Sequence, residues 1–385
     1  MTHRTRRAIY LDYNASTPVA PEVWAAMRPF MLEHFGNPSA AHWAADGARE
    51  AIGKARGQVA ELLGAQPDEI VFTSSGSESN NTVLKSGFHP QAGNTPHYLT
   101  TAVEHPSIHA PLVFLEQLGA EVTYLPVDST GLVDPRDVEQ AILPNTVLIS
   151  VMHANNETGT IQPVAEIASV AHGHGVPFHT DAAQSIGKIP VLVDDIGVDF
   201  LTVAGHKFYA PKGVGALYVR DGAKLDPLIH GGGHQNGRRA STESAFLIVA
   251  LGAASELAYK DPDTERVQEL RDRFLTILQA RFLGEVVLNG HPEHRLPNTV
   301  NVSFLGHSGQ DVLARLDGVA ASTGSACHAG HTSPSATLAA MGVSREVAAG
   351  AIRFSLGRQT TVDDVETVAR LLEHTLVRAP LMLHP

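Results

Sequence analysis

Between residues 70 and 220 the chain alternates short, almost continuously apolar runs with helical patterns. No other feature constrains the fold as tightly. Ile70–Thr73, His97–Thr100, Val122–Leu125, Val147–Val151, Val176–His179, Phe200–Val203 and Gly215–Val219 read as strands. A half-exposed strand alternates apolar and polar residues, so near-continuous apolar character predicts a sheet covered on both faces. Helical patterns such as Val164 to His172 separate several of the runs, as in parallel βαβ units. The fold class expected is α/β. After Gly252 the pattern changes to a charged helical stretch, Asp261 to Phe282, and an apolar run, Thr299–Phe304. Helical patterns near residues 309–316 and 361–377 follow. This predicts a large domain over 15–258 and a smaller α+β domain over 259–385, joined by the N-terminal segment 1–14.

Composition excludes several function classes. The formal net charge is -12 and no block of Lys or Arg stands out, which argues against nucleic acid as the main partner. The longest apolar run, Phe246 to Ala254, is too short to span a bilayer, so no membrane is expected. The basic start leads straight into Ile9-Tyr10-Leu11-Asp12 without an apolar signal core, and a cytoplasmic protein is expected. With Cys327 the only cysteine, a disulfide within the chain and a cysteine-based metal cluster are both impossible.

Two of the predicted strands end in chemically capable residues. One runs into Asp181-Ala-Ala-Gln184, the other into Gly205-His206-Lys207. In open α/β sheets, ligands bind at the carboxyl ends of the strands. An Asp and a Lys delivered to that edge are what pyridoxal 5'-phosphate requires: the Lys forms a Schiff base with the aldehyde, and the Asp keeps the pyridine nitrogen protonated. Only seven lysines are present and none follows Lys260, which narrows the candidates.

Other motifs carry weaker signals. Thr73 to Asn80 is a Gly/Ser turn feeding a helical pattern, either an anion site or a simple N-cap. His105 follows another strand and could stack on an aromatic ring, or be one solvent-facing His among twenty-one. Asn155 to Gly159 is a polar turn whose amides could fix hydroxyls. The small-residue stretch Ala321 to Pro334 reads as an exposed loop. There Cys327, beside His328, could be a low-pKa nucleophile, a small buried hydrophobe, or a metal ligand with His328 and His331. Arg353 lies inside an apolar segment, as a partner for a substrate carboxylate or for an internal acid.

Taken in order along the chain, these segments resemble the NifS-like cysteine desulfurases of the class-V aminotransferase family. The resemblance runs over nearly the whole length and includes Tyr10–Pro18, Phe35–Ser39, Thr73–Asn80, Glu104-His105, Asn155–Gly159, His179–Gln184, Gly205–Lys207, Gly231–Gly233, Ser325–Cys327 and Ile352–Arg358. It implies a fold-type I pyridoxal-phosphate transferase, with a mixed, mostly parallel seven-stranded sheet and a smaller α+β domain. It implies conversion of L-cysteine to L-alanine, with the sulfur carried on Cys327 as a persulfide to an acceptor such as an iron–sulfur scaffold protein. By resemblance Lys207 carries the cofactor and shuttles the Cα proton, Asp181 pairs with the ring nitrogen and His105 stacks on the ring. Gln184 contacts the ring oxygen with Asn155 beside it, and Gly76, Ser77 and His206 hold the phosphate. Thr242 reaches the partner subunit's phosphate, so a homodimer is implied. Arg353, with Asn14 nearby, takes the substrate carboxylate. No metal is implied.

Three positions depart from the family's pattern. Ala204 stands where Ser is common, so one phosphate hydrogen bond is missing or supplied by Thr202. Cys327 is followed by His-Ala-Gly-His, and Asn14 replaces a common Ser. These lean toward selenocysteine lyases, which release selenide and L-alanine from L-selenocysteine. Ser325-Ala326 before Cys327 and the Phe354–Arg358 run keep the desulfurase reading ahead.

Overall fold

The computed structural model describes residues 8–89, 95–323 and 335–377. Seven strands form the central sheet, in the order Ile70–Thr73, Gly215–Val219, Phe200–Ala204, Phe178–Asp181, Thr146–Ser150, His97–Thr101, Glu121–Leu125. Of the seven, Gly215–Val219 runs antiparallel to both neighbours, and the remaining pairs are parallel. All seven runs read from the sequence are therefore strands of one mixed, mostly parallel sheet. Six of them point their carboxyl ends at the same edge, where the site forms.

Both faces are covered, which is why the strands lack polar alternation. Ile70, Phe72, Leu99 and Ile149 face a core shared with Val59, Ile167 and Ile248. Val71, Tyr98, Leu148 and Leu217 face a second core with Val83, Leu84, Ile108 and Leu112. Successive strand residues thus alternate between two apolar layers rather than between core and water. The helices Asp46–Leu63 and Ala245–Lys260 pack closely because Gly252 lacks a side chain: a Cβ there would lie 2.6 Å from Ala55 Cα.

A separate three-stranded antiparallel sheet, in the order Ala351–Ser355, Thr299–Phe304, Val286–Asn289, packs against the helices Thr264–Arg281 and Val362–Val377. Edge-to-face ring pairs, Phe274 with Phe354 and Phe282 with Phe304, fill its core. Ile9 and Leu11 belong to this core. The helical stretch expected from Asp261 begins at Thr264, because Asp263 takes a left-handed conformation at φ 55°. The pairs Ile9–Tyr10 with Val319–Ala320, the strand Val286–Asn289 and the helices Ala336–Ala340 and Arg345–Ala349 are too short to show a period in the sequence.

The N-terminal segment stitches the two sheets together at the site. Tyr13 N donates to Ser355 O, Asn14 N to Ser355 Oγ, and Thr17 N to His206 O.

Candidate active site

A cavity of about 1010 Å³ opens at the carboxyl edge of the large sheet. Nine residues singled out from the sequence line it: Asn14, Gly76, Ser77, His105, Asp181, Gln184, His206, Lys207 and Arg353. Strand ends deliver the first set. Phe178–Asp181 terminates in the carboxylate, and Phe200–Ala204 runs into the turn Gly205–Lys207.

Asp181 is buried, and its carboxylate is held by Ala183 N–H on Oδ1 (2.9 Å) and Asn80 Nδ2 on Oδ2 (2.7 Å). Lys207 Nζ donates to the carbonyls of Asn14 (2.7 Å) and Ala15 (3.0 Å). Burial lowers the Lys207 pKa to about 8, helped by the Arg353 charge and opposed by Asp181 and Asp12. A lysine at that value has roughly a tenth of its molecules as free amine at pH 7, against about one in three thousand for an ordinary lysine. It is a nucleophile and a base at neutral pH.

His105 caps the helix Pro106–Gln117: its Nδ1 accepts Ser107 N–H at 3.1 Å and lies 2.8 Å from Ser107 Oγ. That acceptor role leaves the ring proton on Nε2. One side of the ring is open to the cavity, while burial of the rest lowers its pKa against the pull of Asp181. Beneath it, Glu104 is buried and accepts from Thr101 Oγ1 (2.8 Å) and Met152 N (2.9 Å). Burial pushes its carboxyl up to about 8, so at pH 7 it adds little negative charge beside Asp181.

The opposite end suits an anion. The helix Gly76–Ser86 begins there, with Ser75 Oγ accepting Glu78 N–H. Its first N–H groups and its dipole point toward the cavity edge lined by Gly76 and Ser77. Packing at Gly76 is tight, since a Cβ would come within 3.2 Å of Ala204 Cβ and 3.3 Å of Thr202 Cγ2. His206 stands beside it, with a pKa lowered to about 4 by burial and then by Lys207, Lys212, His105 and Lys188. It is neutral at pH 7 and donates from one ring nitrogen.

Arg353 forms a third corner. Its strand pairs with Thr299–Phe304 and turns the guanidinium into the cavity. Nη2 meets Asp12 Oδ1 at 2.7 Å and Nη1 donates to Asn156 O at 2.9 Å, while the buried Nε has no partner among the described residues. The two sequence readings of Arg353 meet here: it pairs with an internal acid and still faces the cavity.

Three singled-out residues do not line the cavity. Asn155 is buried behind it, with Oδ1 accepting from the Glu157 and Thr158 backbone and Nδ2 donating to Val103 O. Its amide shapes the turn and leaves Asn156 to face the cavity. The Thr202 hydroxyl lies 3.1 Å from His179 Nε2, behind the lining. Thr242 lies on the segment after Arg239 and is not among the residues that line the cavity. Cys327, His328 and His331 lie outside the described residues, although Ser322 and Ser335, on either side, both line the cavity.

Sequence reading missed four contributors. Asn80 holds Asp181, Glu104 ties two strand ends, and Lys188 holds Gln184. The fourth, Glu157, accepts from Ser335 Oγ (2.5 Å) and Thr337 Oγ1 (3.0 Å), fixing the chain just after residue 334. Asn80, Glu104 and Glu157 stood within quoted motifs, but nothing local named their partners. Glu157→Ala takes the acceptor from the buried Thr337 hydroxyl and leaves Ser335 Oγ, among the described residues, with only the Leu338 N–H, a loss of about 1–3 kcal/mol. The expected result is a Tm lower by roughly 1–4 °C in calorimetry; an unchanged Tm would remove Glu157 as an anchor.

A profile of the aminotransferase class-V family matches residues 9–368. The chain belongs to that family, among its NifS-like cysteine desulfurases. It is 48% identical over 375 residues to cysteine desulfurase IscS of Dictyoglomus turgidum, covering 96% of this chain and 95% of that one. It is 42% identical over 377 residues to a cysteine desulfurase of Pongo abelii, covering 96% and 82%. A solved NifS-like protein superposes with a TM-score of 0.89 at 35% identity, over 96% of this chain and 99% of the other. The structure of SspA in complex with cysteine gives a TM-score of 0.82 at 42% identity, over 90% and 98%.

Proposed function

We propose that this chain is a pyridoxal-phosphate-dependent cysteine desulfurase that converts L-cysteine to L-alanine and places the sulfur on Cys327. One observation carries the reading: a lysine amine, a buried carboxylate and a buried arginine face one cavity. The donor set fits the group, with a neutral His and a helix N-terminus for a phosphate, Asp181 for a ring nitrogen and Lys207 for an aldehyde. When bound, pyridoxal phosphate supplies an aldehyde and an electron-withdrawing ring.

The protein's own groups do the rest. Asp181, held by Asn80 and Ala183, keeps a proton on the ring nitrogen. His105 offers a flat face, fixed by Ser107. Gln184 faces the ring oxygen, and Arg353 binds the substrate carboxylate beside Asn14. Lys207 Nζ removes the proton from substrate Cα and returns one to the product. The Cys327 thiolate attacks the substrate sulfur. The Cβ–S bond breaks, the sulfur stays on Cys327 as a persulfide, and Cβ takes a proton to give alanine.

We assign the persulfide sulfur to an acceptor protein such as an iron–sulfur scaffold. A homodimer in which Thr242 serves the partner's cavity accounts for its absence from the lining of its own, and we divide the chain into a large unit over 15–258, built on the seven-stranded sheet, and a small one over 259–385, built on the three-stranded sheet. No helix among the described residues is long and apolar enough to cross a membrane.

The test is to load the protein with pyridoxal phosphate, reduce it with borohydride and map the pyridoxyl label. Label on Lys207, with equimolar alanine and persulfide sulfur formed from L-cysteine, is expected. Label on another lysine, or none, would overturn the reading.

A further inference from the structure

One lysine near the cavity has no part in the proposed chemistry. Lys188 Nζ donates to Gln184 Oε1 at 2.8 Å and to Asn14 Oδ1 at 3.2 Å. No carboxylate among the described residues forms an ion pair with it, and the charges acting on it, Lys207 and Arg353, are both positive. Asp263 lines the same small cavity but is taken by Arg266 at 2.6 Å. A lysine packed among positive neighbours with no acid costs stability, so its presence calls for a reason other than an ion pair.

The reason lies in what a lysine cannot do. Its head group donates hydrogen bonds and, when charged, accepts none. Burial, with Lys207 and Arg353, lowers its pKa well below the usual lysine value, and in either form its N–H groups favour a neighbouring amide that turns its oxygen toward it and its NH₂ away. Gln184 does so: its Nε2 points the other way and donates to Asn14 O at 3.0 Å. That same carbonyl accepts Lys207 Nζ at 2.7 Å. The Asn14 amide is held twice over, because its Oδ1 also accepts from Asn298 Nδ2 at 3.0 Å and its Nδ2 donates to Thr299 Oγ1 at 2.9 Å. The Gln184 oxygen has Lys188 as its one hydrogen-bond partner among the described residues. Removing Lys188 therefore leaves Asn14 oriented and leaves the Gln184 amide held by one contact, Nε2 to Asn14 O, where two held it before.

We propose that Lys188 is a positioning residue for the desulfurase reaction: it fixes the Gln184 amide so that the donor end, Nε2, is presented at the cavity. The inference rests on the functional reading above, in which Gln184 meets the ring oxygen of pyridoxal phosphate. Held by Lys188, Gln184 donates to that oxygen and favours its ionised form. Turned over, it presents an oxygen to an oxygen and favours the protonated form.

The readout is the pH midpoint of the visible absorbance change of the cofactor-loaded protein, with no substrate present. In Lys188→Met the midpoint is expected to rise by about one pH unit, with kcat/KM for L-cysteine down about tenfold. Gln184→Leu is expected to raise the midpoint similarly, and the double variant to add nothing further, because both act through one contact. Methionine fills the space of the lysine stem, so the Tm is expected to hold or rise. Should that variant not fold, Lys188→Gln carries the same midpoint expectation, since its amide can turn either way. A midpoint within about 0.2 units of wild type, or additive shifts in the double variant, would overturn the proposal. A wild-type protein that shows no visible band with pyridoxal phosphate would instead overturn the functional reading itself.

Discussion

Lys207→Ala is expected to lower alanine production from L-cysteine by at least about 10⁴-fold. Two functions disappear with one amine. General acid–base catalysis at a single positioned group contributes about 10²–10⁴ by itself, and the covalent hold on the cofactor goes with it. The structure explains why no neighbour substitutes. Lys188 Nζ is occupied by Gln184 and Asn14 and does not line the main cavity, and His206 is held neutral beside the anion end. The measurement is single-turnover alanine formation at pH 8 with the cofactor in excess. Partial recovery with added methylamine is expected, because a small amine can enter a cavity of this size. Retention of activity within tenfold of wild type would displace Lys207 from the reaction. The same amine predicts the pH behaviour of the cofactor-free protein. With the Lys207 pKa lowered to about 8 by burial, its free-amine fraction climbs between pH 7 and 9 and then levels. The rate of cofactor capture is expected to climb over the same range.

Cys327→Ala is expected to abolish L-cysteine turnover, by about 10³-fold or more, while sparing L-selenocysteine turnover to within about tenfold. The Cβ–S bond of cysteine breaks only as another sulfur accepts the leaving sulfur. A selenium leaving group is held more weakly and can depart without that acceptor. Comparing alanine release from both amino acids, for wild type and variant, separates the two chemistries. If cysteine turnover survives the substitution, Cys327 is not the sulfur acceptor. If wild type prefers selenocysteine strongly and the variant keeps that preference, the substrate assignment moves to selenocysteine, as His328, His331 and Asn14 suggested from sequence.

The seven strands were legible because a doubly covered sheet leaves a local trace: every residue of Ile70–Thr73, His97–Thr101 or Phe200–Ala204 is buried. The lysine and the aspartate were legible for the same reason, since each follows such a run directly. Choosing the right segment did not choose the right atom. Thr202 and Asn155 lie in segments that border the cavity without lining it themselves; their polar atoms meet His179 and the turn at Glu157. Whether a hydroxyl or an amide is available depends on its neighbours in space.

The sequence alone determined the layers of the large sheet and the sheet edge to which Lys207 and Asp181 are delivered, because strand burial and strand ends are encoded by adjacent residues. Only the tertiary structure decided how those groups are held. Asp12 reaches Arg353 across 341 residues, Lys188 reaches Asn14 across 174, and Glu157 reaches Ser335 across 178. Such pairs leave no periodic trace, because sheet pairing and the crossing of the N-terminal segment bring them together only after the chain has folded.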